Sequence, residues 1–139
     1  MKYHLSAKLA LPKLERGQSA VEFALLLPVL MLILFGVVDL GRVFFAAITI
    51  ANAARAGVRY ATQHPSDPNG AIAVANAEAQ GQGIVLTDPT VSSVTVSCPQ
   101  GCGSNLPVQV TVTYNVALIM GFVLPSPVSL SSSVQMLVP

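Results

Sequence analysis

The sequence has little charge. Lys, Arg, Asp and Glu make up 9% of its 139 residues, against roughly 25% in ordinary soluble proteins. What charge there is lies at one end: all seven basic residues fall between Lys2 and Arg59, and from residue 60 onward only Asp67, Glu78 and Asp88 are ionic. That half has no basic cluster, and so no surface of the kind that neutralises phosphates in nucleic-acid binding. Nucleic acid is therefore discounted as a partner. Histidine is also scarce, with His4 in the basic N-terminal stretch and His64 just before Pro65. No grouping of His, Cys, Asp or Glu has the logic of a nucleophile, an acid–base pair or a metal site. The expectation is a protein that is not an enzyme and has no cofactor, metal or small-molecule substrate.

Cysteine is limited to Cys98 and Cys102, which bracket Pro99, Gln100 and Gly101. With no other cysteine to compete for either, a small disulfide-closed loop is the favoured reading, and it puts this region in an oxidising compartment. The rival is a CxxxC metal site. It needs further ligands, and neither histidine stands at a suitable spacing.

What the sequence does have is one long apolar run. Residues 20–38 read AVEFALLLPVLMLILFGVV, with Glu22 as the only charge, close to the ~20 residues that cross ~30 Å of hydrocarbon at ~1.5 Å per residue. Lys2, Lys8, Lys13 and Arg16 precede it against the single acid Glu15. Basic flanks stay on the cytoplasmic side, which predicts a single-pass protein with its N-terminus inside and its C-terminal part outside. The cysteine argument leads to the same topology. Ordinary signal cleavage at the A-x-A-like Ala51, Asn52, Ala53 is disfavoured: the triplet lies beyond Asp39 and Arg42, and the run is longer than a usual signal-peptide core.

Residues 42–63 hold no proline and are rich in alanine, so the helix is expected to continue as an amphipathic extension. At 100° per residue, Phe44, Ala47, Ala51, Ala54, Val58 and Ala61 form a packing stripe, with Thr49, Asn52, Arg55, Arg59 and Gln63 on a wet face. Pro65, Asp67 and Pro68 end it, after roughly forty residues and ~60 Å. The stretch HPSDPNG is a turn in which Asp67 or Asn69 can cap a second short helix over AIAVANAEAQ, closed by Gly81 and Gly83.

Beyond Pro89 the period becomes two. Val91, Val94 and Val96 are followed, across the cysteine loop, by Val108, Val110, Val112, Tyr114 and Val116, and then by a partly alternating run over residues 128–138. These are antiparallel strands, three with room for a fourth, and the fold class is α+β. The cysteine loop would then pin a hairpin tip and its register. The apolar segment ALIMGFVLPSP joins the second and third strands. It is expected to pack on the long helix, since a small domain needs every apolar residue it has; the other reading is an exposed contact surface.

At the start of the apolar run stand Arg16, Gly17, Gln18, Ser19, Ala20, Val21, Glu22 and Phe23. This resembles the processing site of type IV pilins and pseudopilins, in which a basic leader ends in Gly and the fifth mature residue is Glu. The resemblance puts a prepilin peptidase cut between Gly17 and Gln18 and places Glu22 fifth. Such a cut removes the leader and keeps the anchor. A carboxylate at a membrane edge is costly unless paired, and the amine released at Gln18 is a cation one helical turn away, in the same chain or a neighbour. A lone G-x-x-x-x-E is a weak signal. Its context, a basic leader before and an apolar helix after, is what makes it specific. The plain alternative is that Glu22 snorkels and Gly17 is an ordinary loop residue.

The longer run through Pro28, Asp39, Gly41, Ala53, Ala54, Arg55, Gly57 and Arg59 is similar to the TadE-like family of tight-adherence (Flp-type) pilus systems. The resemblance covers about a third of the chain. It implies a pilin-like chain with a leader over 1–17, a helix over 18–63 that spans the membrane at about 20–38, and an extracytoplasmic domain over 64–139. It also implies a minor pseudopilin of the bacterial inner membrane, with prepilin peptidase, other pilins and pseudopilins, assembly-platform proteins and membrane lipid as partners. The rival function is an unprocessed single-pass anchor whose outer domain binds an envelope partner or surface ligand. For Asp39 and Arg42 the choice lies between a local pair and ordinary headgroup-level charges. Pro28 is expected either to kink the helix or to be absorbed by neighbours, and Arg55 and Arg59 either to meet a partner's acids or to be solvated.

Overall fold

The computed structural model describes residues 17–139, so the expected basic residues Lys2, Lys8, Lys13 and Arg16 lie outside the described residues. Two α-helices, α1 (Gln18–Gln63) and α2 (Pro68–Gly81), precede three strands, β1 (Ser92–Ser97), β2 (Pro107–Val116) and β3 (Val128–Leu137). This is the α+β arrangement expected from the change of period. The chain divides into two compact units between Leu34 and Phe35, inside α1.

In the first unit, residues 18–34 are helical and carry their apolar side chains outward; Val21, Phe23, Leu25, Leu26, Val29, Leu30 and Ile33 are all exposed. Pro28 lies within the helix without ending it. α1 is long and apolar enough to cross a membrane. An all-round exposed apolar surface of that length suits lipid rather than water.

The second unit, residues 35–139, has a core built largely of small side chains. Ala46, Ile50, Ala53, Ala54, Val58 and Ala61 of α1 join Ala71, Ala75 and Ala79 of α2, Val108, Val110, Val112 and Val116 of β2, and Ile84 and Leu86 in one buried cluster. The packing face of α1 is centred on Ala46, Ile50, Ala53 and Gly57, about a quarter turn from the stripe expected through Phe44 and Ala47. Phe44 is exposed, and Thr49, expected on the wet face, is fully buried, its hydroxyl donating to Gln82 Oε1 at 3.2 Å. Ala54, Val58 and Ala61 of the expected stripe are buried, while Phe44 is displaced from the packing face in favour of the smaller Ala46, Ala53 and Gly57. A Cβ on Gly57 would stand 3.1 Å from the Ala71 carbonyl oxygen and 3.2 Å from the Ala75 Cβ.

Asp67 caps α2, Oδ1 accepting from Gly70 N at 2.9 Å while Oδ2 accepts from the Tyr60 hydroxyl at 3.0 Å. Gly70 leaves the room this requires, because a Cβ there would collide with both the Asp67 carboxylate and the Tyr60 ring. His64 stacks on Tyr60 with ring centroids 4.4 Å apart.

The sheet is a meander, β1-β2-β3, antiparallel throughout. β2 is central and pairs Val94↔Val112 and Val96↔Val110 on one side, Val110↔Val134 and Val116↔Val128 on the other. Its alternation sends Val108, Val110 and Val112 into the core. The opposite face carries hydroxyls and amides, with Ser93 bonded to Thr113 across β1 and β2, and Thr111 to Ser133 at 2.9 Å across β2 and β3. The apolar segment between β2 and β3 is only partly packed. Met120 is buried, while Phe122, Val123 and Leu124 are exposed, so for these three the contact-surface reading replaces the expected packing on the helix.

Two expectations follow. Gly57→Leu forces a branched side chain between α1 and α2 and destabilises the unit by about 1–3 kcal/mol, measurable by denaturant unfolding of the full chain in a membrane mimetic. The Asp67 carboxyl is held below its ordinary range, first by the Gly70 N–H, then by the Tyr60 hydroxyl and nearby His64. A depressed folded pKa gives stability that is complete above the unfolded value of about 3.9 and is lost as pH falls through the folded value. Asp67→Asn keeps a capping oxygen but does not titrate, so its thermal stability falls less steeply on the acid side than that of the unsubstituted chain.

Candidate functional site

The residues singled out as a processing site stand at the first turn of α1. Gly17 is exposed and non-helical, its carbonyl accepting the first helical hydrogen bond from Val21 N at 3.2 Å. α1 then starts at Gln18, whose side-chain amide donates to Glu22 Oε1 at 3.4 Å. Gln18 and Glu22 are thus on one face, a turn apart, as their spacing requires. Glu22 is exposed and has no basic partner among the described residues.

A second carboxylate, Asp39, stands one residue past the end of the apolar run. It is 97% buried by its surroundings, being only 3% exposed. Oδ1 accepts the backbone N–H of Ile119 and Oδ2 that of Met120, both at 2.9 Å. Arg42 adds a longer contact at 3.4 Å to Oδ1. The local Asp39–Arg42 pair is therefore present, but the stronger partners come from eighty residues further on. The hint in the sequence was an acid directly after an apolar run with one neighbouring cation. Its main donors are backbone groups, which carry no residue signature.

The loop that Asp39 holds is closed on itself. Leu118 N donates to Ser126 Oγ at 3.1 Å, and Val123 N and Leu124 N donate to the Met120 carbonyl at 2.9 and 3.0 Å. Gly36 lies under it, where a Cβ would stand 4.0 Å from the Met120 sulfur.

Cys98 and Cys102 stand at disulfide distance, their Cα atoms 5.3 Å apart, in the turn joining β1 to β2. Arg55 is exposed and donates to Asn52 Oδ1 at 3.3 Å, and Arg59 is also exposed. Among the described residues, no three His, Cys, Asp or Glu side chains come together as a metal-binding group.

Removing the Asp39 acceptor leaves two N–H groups in a closed environment with nothing to bond. Asp39→Ala is expected to speed amide hydrogen exchange at Ile119 and Met120 selectively, with β1–β2 protection unchanged. Equal protection in the variant would remove Asp39 as the loop's anchor.

Comparison with curated proteins and with solved structures gives no match. A family comparison does: the model described as TadE-like protein matches residues 17–59, from Gly17 through Glu22 and Asp39 to Arg59, so this segment of the chain is similar to that family.

Proposed function

We propose that this chain is a minor pseudopilin of a tight-adherence type pilus or related secretion apparatus, matured by a prepilin peptidase that cuts between Gly17 and Gln18. The match of residues 17–59 to the TadE-like family carries the proposal; that family suggests tight-adherence pilus assembly and interaction with pilus components. The match begins at the glycine of the processing motif and covers the whole apolar run.

The chemistry supports the same reading. A peptidase needs an accessible backbone, and Gly17 is exposed ahead of the first helical residue. Cleavage there leaves the anchor whole and creates an α-amine on Gln18, a turn from Glu22. The amine of one subunit pairing with Glu22 of itself or a neighbour neutralises a carboxylate whose exposure to lipid is costly. Between subunits that pair sets an axial register for packed helices.

In this reading the N-terminus is cytoplasmic and residues 64–139 lie outside the inner membrane, on the argument of the basic flank and of a cysteine pair that would be oxidised there. The chain is a substrate of processing rather than a catalyst, and its partners are the peptidase, other pilins and pseudopilins, the assembly platform and lipid.

The intact mass of the protein extracted from membranes tests the proposal. A mature chain beginning at Gln18 is expected, and Gly17→Leu should accumulate the unprocessed form by denying the peptidase its small residue. A wild-type chain that retains residues 2–16 would instead make this an unprocessed membrane-anchored protein. Normal processing of Gly17→Leu would move the cut elsewhere.

A further inference from the structure

The segment between β2 and β3 leaves large apolar side chains uncovered, as α1 does at Leu40, Phe44, Phe45 and Ile48. Phe122 is 80% exposed, and Val123 and Leu124 stand out beside it. Residues 89–139 contain no Lys, Arg, His, Asp or Glu, so nothing charged on this segment opposes entry into an apolar phase. The cost of such entry is normally set by backbone groups that lose water. Here the N–H groups of Leu118, Ile119, Met120, Val123 and Leu124 are already bonded, to Ser126, to Asp39 and to the Met120 carbonyl.

The height of the segment along α1 is also fixed. Asp39, which holds Ile119 and Met120, follows directly on the apolar run of residues 20–38, and Leu118 and Leu124 share a groove with Gly36, Asp39 and Leu40. Arg42 is half exposed one turn on, at the level where a guanidinium meets lipid phosphates.

We propose that the loop over residues 117–127 is a second membrane contact, with Phe122, Val123 and Leu124 seated in the headgroup–acyl boundary of the bilayer that α1 enters. The occupant of the surface is lipid, because the surface is continuous with the end of the apolar run. This rests on reading α1 as a membrane anchor. The loop would then hold the outer domain at a fixed tilt and depth, and Asp39 would couple that depth to the sheet.

The sequence contains no tryptophan, so single introduced indoles report separately. The full chain is reconstituted in phosphatidylcholine/phosphatidylglycerol vesicles containing lipids brominated near the headgroup or at mid-chain. Phe122→Trp replaces one exposed aromatic ring by another; Leu30→Trp reports the anchor, and Ser66→Trp reports the exposed turn between α1 and α2. Shallow bromines are expected to lower Phe122→Trp emission by roughly half, as for a side chain ~5–10 Å into the boundary. Leu30→Trp should respond to mid-chain bromines and Ser66→Trp to neither. If Leu30→Trp is quenched while Phe122→Trp behaves like Ser66→Trp, the inference falls and the anchor stands. An unquenched Leu30→Trp overturns the anchor and the inference together. A blue-shifted but unquenched Phe122→Trp would mean that protein, such as a second copy of this chain, covers the loop, and that too overturns the proposal.

Discussion

A carboxylate placed where an apolar run ends must find donors close at hand, because neither lipid nor a packed domain supplies water to solvate it. Asp39 meets that requirement with two backbone N–H groups, those of Ile119 and Met120, and only then with Arg42. One side chain on α1 thereby holds the connection between β2 and β3. The same bond leaves Met120 buried and turns Phe122 outward. What the loop presents follows from where the acid sits.

Packing in the rest of the domain follows from smallness. Alanines on α1 and α2, with Gly57 between them, bring backbones near enough for β2 to lay Val108, Val110 and Val112 across both helices. Helices and strands were legible in the sequence because their periods differ and their ends carry turn residues: Pro65 and Asp67 after α1, glycines after α2, Pro107 at the start of β2. The face of α1 was legible in part: Ala54, Val58 and Ala61 are buried as expected, but the bulk of Phe44 points one way in a helical projection and close packing prefers the other. A projection knows the angle between side chains but not how near the neighbouring backbone will come.

The two ends of the apolar run differ in the same respect. Gly17, Gln18 and Glu22 form a pattern in sequence, with the one-turn spacing of Gln18 and Glu22 recovered in the helix. Asp39 shows in sequence only Arg42, three residues on, as a partner. Its donors are peptide groups of an apolar stretch eighty residues away, and any residue type but proline could have provided them. Local chemistry leaves a record in residue order, while backbone chemistry closed by the fold does not. Together the two acids stand near the ends of one apolar helix segment, one exposed beside Gln18, the other satisfied within the folded chain.

The outer face of the sheet is finished in serine, threonine and glutamine, and beyond Asp88 no side chain carries an acid, a basic group or an imidazole. Any grip this face takes on a neighbour is therefore dipolar rather than ionic, and indifferent to salt. Counterions that loosen charged assemblies within a Debye length have nothing here to screen. From residue 60 onward the acids Asp67, Glu78 and Asp88 all precede the first strand, so the sheet itself keeps the same electrical character as ionic strength and acidity change.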